Sequence, residues 1–141
     1  MNEQEMRQAM GTLEAYKAQL EAINEQGQLL QMSLEDHSRA KDTLEAVAKG
    51  KPGEEVLMPV GGSAYVYASI VSSDRVLVGV GTGVSVDKPM EDAIATVDVR
   101  IGELMDALKK ASESRTVVES KMQQLSQIVQ QEYQRMQQGP K

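Results

Sequence analysis

The sequence predicts an α+β fold: a long antiparallel α-helical coiled-coil hairpin with two β-hairpins at its centre. Three observations predict it. Apolar residues recur at alternating steps of three and four over residues 2–49 and again over 88–138. Between these stretches, residues 54–87 change to a period of two. Glycine and proline mark the changes, at Gly50 and Pro52, at Pro89, and at Gly139 and Pro140. A chain of 141 residues suits one domain spanning residues 1–141.

The first helical stretch, 2–49, carries the seam Met6, Ala9, Leu13, Tyr16, Leu20, Ile23, Gly27, Leu30, Leu34, His37, Lys41, Leu44 and Ala48. Asn2 followed by Glu5 is a helix-start signal, and Gly50 with Pro52 is a stop. At 1.5 Å per residue such a helix is about 70 Å long. Three seam positions break the apolar rule. Gly27 leaves a gap unless a small residue faces it. His37 and Lys41 sit one turn apart. His37 is the only histidine and the chain has no cysteine, so no ligand set surrounds it; a register-setting polar residue is the better reading than a metal ligand or proton shuttle.

In the centre, Val56, Met58 and Val60 alternate, then Ala64, Val66, Ala68 and Ile70, then Val76, Val78 and Val80, then Val84 and Val86. Gly61-Gly62, Ser72-Ser73-Asp74 and Gly81-Thr82-Gly83 separate the four strands. The natural pairings are two hairpins, 56–60 with 64–71 and 75–80 with 84–87. The opposite face holds Leu57, Tyr65, Tyr67, Val71 and Leu77, so the strands are apolar on both sides. Two isolated hairpins are marginal in water, and their open edges invite another chain. This block is therefore expected to be an assembly module whose hairpins join an oligomeric β-barrel, through Val56, Met58, Val60, Val66, Ile70, Val76, Val78, Val80, Val84 and Val86. Gly79, Gly81 and Gly83 form no phosphate cradle: no Lys-Ser/Thr pair follows them and no helix begins at once, so turn glycines are expected.

The second helical stretch, 88–138, is expected to be capped by Asp87 or Lys88, with Pro89 in the first turn and Glu91 and Asp92 at the positive helix end. Its seam runs Met90, Ile94, Val97, Ile101, Leu104, Leu108, Ala111, Arg115, Val118, Met122, Leu125, Val129, Glu132 and Met136, and Gly139-Pro140 closes it. Folding the two stretches against one another pairs Leu44 with Ile94, Leu30 with Leu108, Gly27 with Ala111 and Leu13 with Leu125. The two weak places in the seams then coincide, small against small.

Composition bounds the function. Phe, Trp and Cys are absent, aromatic residues are 3% of the chain, and nine Met share the apolar load with Val, Leu, Ile and Ala. Thin seams tolerate that better than a deep core does. No cysteine means no disulfide and no thiolate chemistry. The N-terminus lacks the pattern of a signal peptide and no run is long and apolar enough to span a membrane, so a cytoplasmic location is expected. The net charge of −6, without a basic patch, argues against nucleic acid. No nucleophile sits with a base, which argues against an enzyme, and neither a metal nor a cofactor is expected.

From Gln123 to Gln138 charge nearly vanishes: Glu132 and Arg135 are the only ionised residues among many glutamines. Ile128, Tyr133 and Met136 add apolar surface beside Leu125 and Val129, and the start of the chain supplies Met6, Met10 and Leu13. Such a surface suits broad, exchangeable contact with non-native polypeptide. A seam that simply continues to ragged ends is the competing reading for each single residue.

The segments LMPVGGSAYVYASI and RVLVGVGTGVSVDKPMEDAI resemble the α-type subunits of prefoldin, in archaeal-like form. The likeness falls on Pro59, Val60, Gly61, Gly79, Gly81, Gly83, Glu91, Asp92 and Ala93, and it extends over essentially the whole chain. Two hairpins rather than one point to the α type. The resemblance implies a hexamer of two α and four β-type subunits with a double β-barrel platform. It also implies coiled coils whose tips hold unfolded proteins without ATP and pass them to a group II chaperonin. The competing expectation is a coiled-coil scaffold or adaptor that joins folded proteins and has no holdase activity.

Overall fold

The computed structural model describes residues 1–139, and the expected closing residue Pro140 lies outside them. The order of elements is α1 (Glu3–Lys49), β1 (Glu55–Gly61), β2 (Ala64–Ser69), β3 (Arg75–Gly81), β4 (Val84–Pro89) and α2 (Met90–Gln137). Two long helices flanking two antiparallel hairpins are the α+β fold that the periodicities predict. The chain divides into two compact units, one of residues 1–31 with the described residues from Asp106 onward, the other of Met32–Met105.

In the first unit, α1 begins with a reciprocal cap. The Glu5 amide donates to Asn2 Oδ1 at 2.7 Å, and the Asn2 amide donates to Glu5 Oε2 at 3.2 Å. Two of the four donors that a helix start leaves open are thereby satisfied. Exposure along both helix segments follows the three–four spacing. Met6, Leu13, Tyr16, Leu20, Ile23, Gly27 and Leu30 on α1 are half-buried and Ala9 is buried. Leu108, Ala111, Val118, Met122, Leu125, Val129 and Glu132 on α2 are half-buried, and the residues between are exposed. Each helix therefore turns one stripe inward, as an a/d seam requires. Arg115 and Met136 stand exposed out of that stripe. Gly139, at φ +71°, ends α2 by donating its amide to the Met136 carbonyl at 3.3 Å.

In the second unit the buried side chains are Ile70, Val78, Met90, Ala93 and Val97. They lie just after β2, within β3 and in the first turns of α2. The hairpins form separate two-stranded sheets, β1 with β2 and β3 with β4. Their registers match at an offset of twenty residues. Met58 pairs Val66 where Val78 pairs Val86, and Gly61 pairs Ala64 where Gly81 pairs Val84. Both ladders shift register just before the turn, after Pro59 and after Gly79. Gly61 and Gly81 take up that shift at φ +94° and +96°, a region open to glycine. The loops Gly62-Ser63 and Thr82-Gly83 are both entirely at positive φ, the type I′ geometry that matches strand twist. Even the closing bonds correspond: the Ile70 amide donates to the Glu54 carbonyl at 2.9 Å, and the Met90 amide to the Asp74 carbonyl at 2.8 Å. The central block is one supersecondary unit used twice.

One boundary differs from expectation. Pro89 closes β4 instead of sitting in the first turn of α2, and neither Asp87 nor Lys88 caps the helix. The cause is the ladder: Arg75 pairs Pro89, Asp87 Oδ1 accepts from Arg75, and the Met90 N–H donates to the Asp74 carbonyl. Glu91 and Asp92 do lie in the first turn of α2.

Two glycines separate close approach from open space. A Cβ on Gly50 would lie 2.5 Å from Ile70 Cδ1 and 3.3 Å from Glu54 Oε2, and Ile70 is only 6% exposed. A Cβ on Gly102, inside α2, would meet nothing within 4 Å. Urea denaturation should therefore find Gly50→Ala destabilised by about 1 kcal/mol, through forced repacking of Ile70. Gly102→Ala should be stabilised by up to about 1 kcal/mol, through helix propensity alone. Equal effects of the two substitutions would contradict this assignment.

Candidate functional site

The polar residues in the seams have structural partners. His37 Nδ1 lies 2.7 Å from the Ser33 carbonyl, which only accepts, so Nδ1 carries the proton and donates one turn back. Lys41 Nζ reaches across to Asp98 at 2.7 Å, and that hydrogen bond with the Asp98 charge holds the Lys41 ammonium above its ordinary pKa. Arg115 leans along its own helix toward Glu119, at 3.7 Å. Among the described residues no group of three or more His, Cys, Asp or Glu is placed to hold a metal ion. No described helix is long and apolar enough to cross a membrane.

What the described residues offer is exposed apolar surface, at the two places expected from the sequence and also singly along the helices at Leu29, Met32, Val99, Met105 and Val117. The first is the central block. Of the residues expected to assemble, Val60, Val66, Val80, Val84 and Val86 are exposed, and Val56, Met58 and Val76 are half-buried. Ile70 and Val78 are buried by their own chain, at 6% and 7%. The opposite face is the more open one. Leu57 and Tyr65 are exposed there, Leu77 is 72% exposed, Tyr67 is 78% and Val71 is 91%. These residues are visible in the sequence as a second apolar alternation. What the sequence does not show is which face packs on the chain's own helices. What is buried marks it: Ile70 and Val78 on the one strand face and Val97 on α2 are enclosed, and Arg100 Nη2 donates to the Gly79 carbonyl at 2.9 Å. A groove of about 740 Å³ opens beside this bond, lined by Arg39, Leu44, Met58, Tyr65, Val76 and Arg100 among others.

The second place lies in the unit that holds the beginning of α1 and the end of α2. Met10, Ile128, Tyr133 and Met136 are exposed, while Met6, Leu13, Leu125 and Val129 are half-buried in the seam. The few charges here satisfy one another. The Met1 ammonium donates to Glu132 Oε2 at 2.9 Å, and Arg135 Nη2 meets the same oxygen at 2.9 Å. The hydrogen bond from the ammonium, and after it that from Arg135, hold the Glu132 carboxyl below the usual glutamate value. A carboxylate in a seam is thus paired, and the surrounding surface carries little net charge.

The same unit contains a groove of about 550 Å³ where Gly27 meets the opposite helix. Gly27 and Ala111 both line it, as the expected pairing of small residues requires, together with Ile23, Leu108 and Arg115. The small residues face each other but do not close the gap.

With the fold and these surfaces described, the likenesses to known proteins can be stated. The family model for a prefoldin subunit matches residues 16–135. The chain is 34% identical over 108 residues to prefoldin subunit alpha of Methanothrix thermoacetophila, covering 77% of this chain and 71% of that protein. It is 29% identical to prefoldin subunit alpha of Methanococcoides burtonii, covering 91% and 93%. Among solved structures, a filamentous PFD from Methanocaldococcus jannaschii superposes with a TM-score of 0.65 at 24% identity, over 82% of this chain and 95% of that one. The prefoldin beta subunit from Thermococcus strain KS-1 does so with a TM-score of 0.61 at 20% identity, over 90% of each chain. At those identities the structures speak to the fold.

The Glu132 cluster predicts a pH dependence. Its carboxyl titrates lower when folded, so its stabilisation is fully present above the ordinary glutamate pKa and is lost as pH falls through the lowered value. Thermal melts should find Glu132→Gln less stable than the parent at pH 7, with the gap narrowing as pH falls below the ordinary glutamate range. A gap of constant size across that range would show that the ion cluster does not stabilise the fold.

Proposed function

The chain belongs to the prefoldin family of chaperone subunits, and we propose that as an α-type subunit it holds unfolded polypeptide without ATP at the ends of its paired helices. The observation that carries this reading is the surface around Met10, Ile128, Tyr133 and Met136. Four apolar side chains stand exposed where the charges, the Met1 ammonium, Glu132 and Arg135, are engaged with one another. A surface that is apolar, built on flexible methionines and low in net charge binds extended chains of many sequences, because it neither strongly repels one sign of charge nor demands one shape. The half-buried Met6, Leu13, Leu125 and Val129 extend it wherever the last turns fray. The client is then handed on to a group II chaperonin.

Assembly belongs to the central block in the same proposal. Two hairpins with free edges and exposed Leu57, Tyr65, Tyr67, Val71 and Leu77 leave more apolar surface than a lone soluble chain usually carries. The partners are β-type prefoldin subunits, two α-type chains with four of them, and the hairpins of all six close the barrel. The exposed valines Val60, Val66, Val80, Val84 and Val86 and the opposite aromatic face are both candidates for the contact.

The reading separates into two measurable halves. A complex carrying Met10→Ser, Ile128→Ser, Tyr133→Ser and Met136→Ser should still assemble by light scattering. It should lose most of its suppression of aggregation of a heat-unfolded protein. Tyr67→Asp with Leu77→Asp should instead prevent assembly. A complex that never suppresses aggregation would favour a scaffold joining folded proteins; unchanged suppression in the four-serine variant would remove the helix ends from the account.

A further inference from the structure

We propose that the groove at Gly27 is a second seat for unfolded chain, one that takes an aromatic side chain flanked by a carboxylate. The proposal rests on the reading of the protein as a binder of non-native polypeptide, and it names a class of residue and a place away from the helix ends.

The groove is a defect in an otherwise regular seam. Gly27 occupies a seam position between Ile23 and Leu30 but offers no side chain. The residue across from it is Ala111, and the next seam position, Arg115, leaves the stripe altogether. Bulky side chains are thus missing from both helices at the same level. No close approach explains the glycine: a Cβ there would meet nothing within 4 Å, unlike the one at Gly50. Glycine inside a helix is also disfavoured relative to alanine. Packing and helix propensity would both favour a larger residue at this site, yet the space stays open at about 550 Å³.

The lining states what fits. Ile23, Leu108 and Ala111 give apolar contact, and Asn24, Gln28 and Ser112 bring uncharged polar groups. The only ionised residue on the lining is Arg115. Its side chain is about half exposed and its own partner, Glu119, is at 3.7 Å, a loose pairing that an incoming group can replace. An aliphatic side chain would use the apolar wall and ignore the guanidinium. An aromatic ring uses both, since its face attracts the cation. A carboxylate on the neighbouring residue of the same segment matches the single positive charge and meets no acidic residue on the lining. The volume is of the size that accepts a ring with part of its backbone.

The chain contains no tryptophan, so a tryptophan in a probe peptide reports alone. The test uses the full-length protein and an unstructured, end-blocked Gly-Ser peptide carrying Asp-Trp-Asp, followed by its fluorescence. Binding should shift the emission to the blue. Gly27→Leu and, independently, Ala111→Leu fill the groove and should weaken binding about tenfold or more at unchanged helix content, and Gly27→Ala should weaken it less. Arg115→Gln should weaken the Asp-Trp-Asp peptide about threefold and a Lys-Trp-Lys peptide less, because both lose the cation–ring contact but only the first loses the carboxylate pairing. Equal affinity for the parent, Gly27→Ala and Gly27→Leu overturns the proposal. So does loss of binding in Ile128→Ser with Tyr133→Ser but not in Gly27→Leu; that result, with aggregation still suppressed by the parent, leaves the proposed function standing. A parent protein that suppresses no aggregation removes the proposed function instead, and the peptide titration then decides the groove by itself.

Discussion

The three–four spacing of apolar residues on α1 and α2 is the constraint on which the helical parts depend. It places one stripe of side chains inward on each helix and leaves the rest of the helix surface to water. Most seam residues are therefore half-buried, and no side chain of the described residues is both large and wholly enclosed. Hydrophobic stabilisation scales with area removed from water, so a narrow stripe must act over many turns. Single polar positions such as Lys41 are tolerated because a half-buried site lets Lys41 meet Asp98 at 2.7 Å without full desolvation. Composition answers to the same constraint. A protein without Phe or Trp lacks the bulk for a deep core, and the buried set is accordingly alanine, valine, isoleucine and methionine.

Much of this was legible in the residues. The seams, the four strands and their turns, and the Asn2–Glu5 cap follow from periodicity, glycine placement and one capping pattern. These are local signals, carried by residues a few positions apart. What the sequence withheld depended on contacts between elements. Leu57, Tyr65, Tyr67 and Leu77 alternate as regularly as Val56, Met58 and Val66, so periodicity gives two apolar faces and no choice between them. The choice shows in the burial of Ile70 and Val78 and in the bond from Arg100 to the Gly79 carbonyl, which are three-dimensional facts. Pro89 was misplaced for a similar reason. Local chemistry favours proline in a first helical turn, but the partner strand holds it in the ladder opposite Arg75. Glu132 stands in the α2 seam with the Met1 ammonium beside it at 2.9 Å, and no spacing within α2 points to that partner.

The two hairpins show how one backbone can carry two chemistries. Register, bulge, turn type and closing bond coincide from Glu54–Ile70 to Asp74–Met90. On the more open face Leu57 and Leu77 correspond, but other side chains do not. Tyr65 and Tyr67 in the first hairpin are replaced by Ser85 and Asp87 in the second, and Glu55 by Arg75. In the second hairpin Arg75 donates to Asp87 at 3.0 Å, so its charges are satisfied across its own strands. In the first, the corresponding surface is aromatic and open. Hydrogen bonds at a free edge depend on the backbone, which is the same in both copies. Any discrimination between partners that the two hairpins exercise must therefore reside in these few outward side chains. An open tyrosine pair favours burial against another apolar face, whereas a serine beside a neutralised ion pair tolerates water. The repeated backbone thus carries two unlike surfaces, one aromatic and open, the other crossed by an ion pair.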